Sequence, residues 1–369
     1  MSSNADGAVV LSWGAGRTGQ LGNGTTSDSL SPTAVTGLNA EAVTKLSAGG
    51  VSVENGFALA LLKDGTVRAW GDNVAGQIGN GTLIDQTVPV MVASLTGIKD
   101  IAAGGTHALA LTEGGRVFSW GDNAYGQLGH GTSGGERSKP AEISGLTGVK
   151  QIAAGADFSL ALLTDGTVRA WGRGIHGQLG NGSRATSTAP CKVGLTDIVA
   201  IAAGAHHALA LTTDDTVKSW GYNLHGQLGN SSTESSTVPV DVDWLEGVSE
   251  ISTGAHHNYA KTSDSHVWGW GDNQYGQLLE GDETFDSDVS RTNRTAPVEI
   301  PRLEGVQFLD GGARHGVALT ADAVFTWGDN SHGQLGHGTT VPGYGSVKIP
   351  NTSIRFIAAG RGGGATYVC

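Results

Sequence analysis

The dipeptide Trp-Gly recurs once per unit, at Trp13, Trp70, Trp120, Trp171, Trp220, Trp270 and Trp327, at spacings of 57, 50, 51, 49, 50 and 57 residues. Each is followed by a variant of G-D-N-x-x-G-Q-L-G-x-G, such as GDNVAGQIGNG from Gly71, GYNLHGQLGNS from Gly221 and GDNQYGQLLEG from Gly271. Self-similarity at about fifty residues restricts a chain to an array of stacked or ring-closed units. The unit from Pro140 to Trp171 predicts four short strands: PAEI, VKQIAAG, FSLALLT and TVRAW, the last two joined at Asp165-Gly166, a strong hairpin signal. Four antiparallel strands make one propeller blade. The expected fold is therefore all-β, a seven-bladed β-propeller spanning residues 1–369 as one domain. Closure is legible too. The C-terminal IAAGRGGGATYVC stops before its repeat is complete, and the chain begins with a strand, AVVLSW, from Ala8. The N-terminal strand is expected to complete the last blade and remove the open edges.

Composition excludes several functions. Glycine supplies 60 residues without a G-X-Y period, which fits tight turns and not collagen. A net charge of -12 with 22 Lys and Arg disfavours nucleic acid and anionic membranes as partners. No apolar run approaches the length of a membrane helix. The N-terminus shows no secretion signal, so a soluble, cytoplasmic monomer is expected. Cys191 and Cys369 are too few for a disulfide framework or zinc site, and Cys191 reads as a small buried residue.

The loops after each A-A-G should emerge together near the axis. His107, His207, His257 and His315 share one repeat position with Phe57 and Phe158. A position that accepts His or Phe reads as packing, with the imidazole bonded to backbone. The preceding position varies freely as Thr106, Asp157, His206, His256 and Arg314, which is where a scaffold carries specificity. Small neighbours (Gly105, Ala156, Ala205, Ala255, Ala313) should leave a cup, completed by Glu54 and Asn55 of the longer first loop and by Arg361. Tyr125, His176, His225, Tyr275 and His332 recur at one turn position and are expected to ring a separate outer loop. The insertion 279–300, with Glu280, Asp282, Glu283, Asp286 and Asp288, reads as an exposed acidic loop. No metal or cofactor motif is present; the glycines fall in repeat turns.

The W-G-x-N-x-x-G-Q-L-G-x-G run with A-A-G-x-x-H resembles the regulator-of-chromosome-condensation repeat, over essentially the whole chain. That family implies a seven-bladed propeller. Its members include a chromatin-bound exchange factor for a nuclear GTPase, a plant UV-B photoreceptor and a secreted bacterial inhibitor of β-lactamases. Chromatin binding is disfavoured by the charge. The photoreceptor's G-W-R-H-T corresponds to Gly312-Ala313-Arg314-His315-Gly316 here, with alanine in place of the tryptophan. The inhibitor, which this chain resembles in its bacterial character and compactness, uses aromatic residues after A-A-G, where this chain is polar. The first expectation is a scaffold that binds a protein or small polar ligand on its axial face through Glu54, Asn55, Thr106, Asp157, Arg314 and Arg361. The alternative is a cofactor-independent enzyme (a cyclase, isomerase or hydrolase) using His206 and His256 as acid–base groups, assisted by Asp157 and Arg314. An inhibitor of a secreted bacterial enzyme is a third reading.

Overall fold

The computed structural model describes residues 9–279, 291–347 and 354–369. Seven four-stranded antiparallel sheets are arranged as blades. Numbered in chain order, their innermost strands are Val43–Ser52, Ile98–Ala103, Val149–Ala154, Ile198–Ala203, Val248–Thr253, Phe308–Gly311 and Ile357–Ala359. Each touches the innermost strands of two neighbours, and the last touches the first, so they ring the axis. Blade 3 continues outward through Phe158–Leu163 and Val168–Gly172 to Ser187–Lys192.

The blade boundary is displaced by one strand from the sequence expectation. Pro140 lies in Glu136–Glu142, the outer strand of blade 2, and not in the blade of Trp171. The long G-D-N turn brings the chain back alongside the Trp strand it has just left, and that local antiparallel partner wins. The outer edge also suits a residue with no N–H to give. In blade 7 the C-terminal strands Ile357–Ala359 and Ala365–Val368 are joined by Val9–Gly14 and Ser29–Asn39. The pairs Leu11↔Val368 and Trp13↔Thr366 make the closure. Thus two strands, not one, come from the N-terminal side. Cys191 is half-buried on an outer strand, not buried as expected, and Cys369 is buried; both are free thiols.

The core lies between blades. Each of the seven repeat tryptophans is fully buried and centres one apolar cluster shared by two neighbours. Each indole N–H also donates to the carbonyl of the Gly-Gln-Leu-Gly glutamine in the preceding blade. Trp171 reaches Gln127 at 2.8 Å, Trp220 reaches Gln178 at 2.9 Å, and Trp13 reaches Gln334 at 2.9 Å. The turn's glycine permits this approach, since a Cβ on Gly129 would stand 2.9 Å from Trp171 Nε1.

The recurrent histidines are fully buried, and three of them bond through Nε2 to side chains of the next blade. His107 Nε2 meets Ser159 Oγ at 2.9 Å, and Ser159 donates onward to the Gln127 carbonyl at 2.9 Å. His207 meets Asn258 Oδ1 at 2.6 Å, and His315 meets Thr366 Oγ1 at 2.9 Å. Since these oxygens accept, each imidazole carries its proton on Nε2. Where the partner position is Gly316, His257 packs edge-on against Tyr259 at 5.1 Å instead. Burial holds His107 and His315 at a pKa of about 4, and His207 and His257 at about 3.

Two outcomes follow. Trp220→Phe removes a donor and leaves the Gln178 carbonyl unpaired, so urea unfolding should show a loss of about 1–3 kcal/mol. The histidine pKa values are depressed by folding, so the unfolded chain binds more protons below its ordinary value near 6.5. Stability should therefore be full above that pH and fall progressively toward pH 4. Thermal melts at stepped pH should show this slope, shallower in His107→Phe/Ser159→Ala.

Candidate functional site

Alternating strand direction puts two connections of every blade at the same end. One is the loop after A-A-G and the other is the G-D-N turn. Together they surround a cup of about 420 Å³, lined by Val51, Ser52, Val53, Asp157, Arg173, His206, His256, Arg314 and Arg361. A neck of about 20 Å³, walled by Gly50, Gly105, Ala156 and Ala205, lies beneath it. A chamber of about 370 Å³ between the innermost strands follows. Arg361 lines all three spaces, at a position that is glycine or alanine in the other blades. Its guanidinium comes within 4.0 Å of Asp310, which stands where the other blades have Ser47, Ala102, Ala153, Ala202, Ser252 and Ala358. Burial raises the Asp310 pKa, opposed chiefly by Arg361.

Of the sequence candidates, Asp157, His206, His256, Arg314 and Arg361 come together in the cup. Glu54, Asn55 and Thr106 do not line it. The first loop is a strand extension, Val43–Ser52 to Asn55–Leu62, which turns Val51–Val53 inward. Glu54 pairs instead with Arg17 at 2.7 Å, Asn55 is exposed, and the Thr106 carbonyl accepts the Asp122 N–H at 2.9 Å. The acidic stretch 280–288 lies outside the described residues.

The turn residues expected on a separate outer ring belong to this same surface. His176 lies 5.4 Å from His206, and His225 lies 5.4 Å from His256. Tyr125 sits under the Arg173 guanidinium and Tyr275 under that of Arg314, each at 4.6 Å. His332 pairs elsewhere, with Asp28 at 3.0 Å. Tyr222 joins the group, 5.0 Å from His176 and 6.0 Å from His256. Sequence reasoning missed Tyr222 and Arg173. Their signal was the replacement of the G-D-N aspartate kept at Asp72, Asp122, Asp272 and Asp329. Where it remains, Asp122 accepts from Gln127 at 2.7 Å and Asp272 from Gln277 at 2.9 Å. Gln178 Nε2 and Gln227 Nε2, beside Arg173 and Tyr222, are buried without a partner, as are Gln77 Nε2 and Gln334 Nε2 beside Asp72 and Asp329.

The cup is electropositive on an acidic chain. Arg173, Arg314 and Arg361 face a single lining carboxylate, Asp157, which Arg173 engages at 3.0 Å. Arg314 is exposed and has no ion pair among the described residues. Burial first, then His176 and Arg173, lower His206 to about 4. Burial first, then His225 and His206, lower His256 to about 4, against Asp272. Neither imidazole has a carboxylate at hydrogen-bond distance among the described residues, and both Nδ1 atoms are buried without partners. No cluster of three potential metal ligands occurs among the described residues.

A profile described as an RCC1-like domain matches residues 9–368. The chain belongs to the RCC1-like family. It is 34% identical over 192 residues to the ultraviolet-B receptor UVR8 of Arabidopsis thaliana, covering 51% of this chain and 42% of the receptor. It is 35% identical over 179 residues to the human E3 ubiquitin-protein ligase HERC2, covering 47% of this chain but 4% of the ligase. The matched region thus spans less than half of either relative. Among solved structures, yeast RCC1 (Prp20) bound to Kap60 superposes with a TM-score of 0.83 at 23% identity, covering 98% of this chain and 88% of that one. At that identity the likeness is one of fold. Human WBSCR16 gives 0.81 at 25% identity, with 98% and 99% covered. No helix among the described residues is long and apolar enough to cross a membrane.

If Arg173 depresses His206 through its charge, Arg173→Gln should move the His206 titration midpoint upward in NMR. The midpoint of His107, in another blade and shifted by burial, should stay in place.

Proposed function

We propose that this RCC1-like propeller is a binding scaffold whose axial face recognises a protein partner. One observation carries the reading: the rings of His176, His206, Tyr222, His225 and His256 form a continuous chain. Two tyrosine-backed guanidiniums, those of Arg173 and Arg314, accompany it. Tyrosine and arginine dominate the anchor residues of interfaces. Rings that brace one another, and guanidiniums laid on tyrosines, lose little freedom on binding. The ring chain runs beyond the cup to Tyr222 and His225, which favours a surface over a small enclosed ligand. Known proteins of this fold fit the class of function, yeast RCC1 being found with Kap60 as its partner.

A small anionic ligand in the cup is the second reading, favoured by Arg314 and Arg361 facing a space whose one lining carboxylate is already engaged. Acid–base catalysis by His206 and His256 has less support, because Asp157 is held by Arg173 and Glu54 by Arg17.

Affinity capture with wild-type and Tyr222→Ala/Arg314→Ala baits, followed by surface plasmon resonance on proteins held by the wild type alone, tests the reading. Each single alanine should weaken such a partner roughly thirtyfold, about 2 kcal/mol, while Thr106→Ala changes little. Captured proteins that bind the double variant as tightly as the wild type would count against it.

A further inference from the structure

Seven of the nine tryptophans belong to the repeat; Trp244 and Trp268 do not. Both line one groove of about 290 Å³ formed by the linker into blade 5 and that blade's second hairpin. These are the connections that leave the sheets at the end opposite the cup, so the groove is independent of the binding face proposed above.

Trp244 is 80% exposed and has φ of 55°. Among the equivalent linker positions, Gly37, Ser94 and Gly145 share this left-handed conformation, whereas Arg302 does not. A bulky side chain is disfavoured there, and an indole so exposed recovers little through packing. The neighbours Val242 and Leu245 supply the buried contacts of the linker. The fold therefore does not account for a tryptophan at 244. Trp268 is half-buried against the blade's apolar cluster, where other blades have Arg68, Phe118, Arg169, Lys218 and Phe325.

Carboxylates surround the two indoles. Glu246 and Asp264 line the groove together with His266, whose Nδ1 lies 3.2 Å from the Asp264 carboxylate, and no lysine or arginine does. Glu246 is exposed without an ion pair among the described residues. The Thr262 hydroxyl holds the Asp264 carboxyl below its ordinary range. Glu299 sits across from Trp268 in strand register. The matching groove of blade 6, about 450 Å³, has Arg302 and Phe325 at the two tryptophan positions. The groove and its two carboxylates, which are Glu304 and Asp322 in blade 6, belong to the fold; the pair of indoles belongs to this one copy.

We propose that the groove seats a lysine or arginine side chain from a basic segment of a partner protein. The cation lies against Trp244, flanked by Glu246 and Asp264. Tryptophan is the strongest of the aromatic faces for a cation, and the carboxylates add attraction that water alone does not supply.

The test is fluorescence anisotropy of dye-labelled acetyl-Gly-Arg-Gly-Arg-Gly-amide, with the peptide carrying glutamate at both arginines as control. Trp244→Ser is expected to fold normally, because Ser94 holds the same turn conformation in the linker into blade 2. It should weaken the arginine peptide about tenfold, and Glu246→Gln/Asp264→Asn several-fold. Tetramethylammonium chloride should displace the peptide from the wild type, and sodium chloride at equal ionic strength should displace it less. Three results would overturn the proposal: no saturable binding of the arginine peptide, equal binding of the glutamate peptide, or unchanged affinity in Trp244→Ser. Loss of cup-face partners in Tyr222→Ala/Arg314→Ala would leave this result untouched, so the two readings fail separately.

Discussion

The hydrogen bond from each repeat indole to the glutamine carbonyl of the preceding blade is the contact on which the ring depends. It joins a side chain at the heart of one sheet to the turn of another, and it recurs at all seven junctions. The same carbonyl often takes a second donor, such as Ser159, Asn258 or Thr366, to which a buried histidine of the preceding blade is bonded in turn. Each seam is therefore both apolar and polar. The polar part fixes register, because a displaced indole loses its acceptor and, at Gln77 and Gln178, where no second side chain among the described residues donates, leaves the buried carbonyl unpaired. That rigidity lets the loops at either end vary without disturbing the sheets.

Variation at the axial end produces a surface whose charge opposes that of the whole protein. The chain carries -12 overall, yet three arginines converge on a cup lined by one carboxylate, with Asp310 below it near Arg361. Four imidazoles join them, and burial keeps His206 and His256 uncharged near neutrality. The face is thus rich in hydrogen-bonding rings without the desolvation cost of several crowded cations. At the opposite end the sign reverses, with acidic residues around Trp244 and Trp268.

Residues that repeat were legible in the sequence, and residues that depart were legible only in part. The Trp-Gly pairs and Gly-Gln-Leu-Gly turns gave seven blades and their closure, since one local pattern occurring seven times has few solutions. The strand around Pro140 was assigned to the wrong blade because an edge strand carries no local mark of the sheet it joins. Glu54 was expected in the cup, but the extended hairpin of blade 1 directs its side chain to Arg17. Tyr222 and Arg173 were visible as broken G-D-N motifs, yet their meaning required knowing that this turn and the A-A-G loop share one end. Trp244 was hidden because a linker residue has no pattern to violate until its backbone conformation is known.

Hydrogen–deuterium exchange on the protein with and without a captured partner tests the binding face most directly. Protection is expected together in the loops around 156–157, 205–206, 255–256 and 313–314 and in the turns around 173–176 and 222–225. Protection confined to the outer strands or to the opposite end, with these segments unchanged, would contradict an axial binding face.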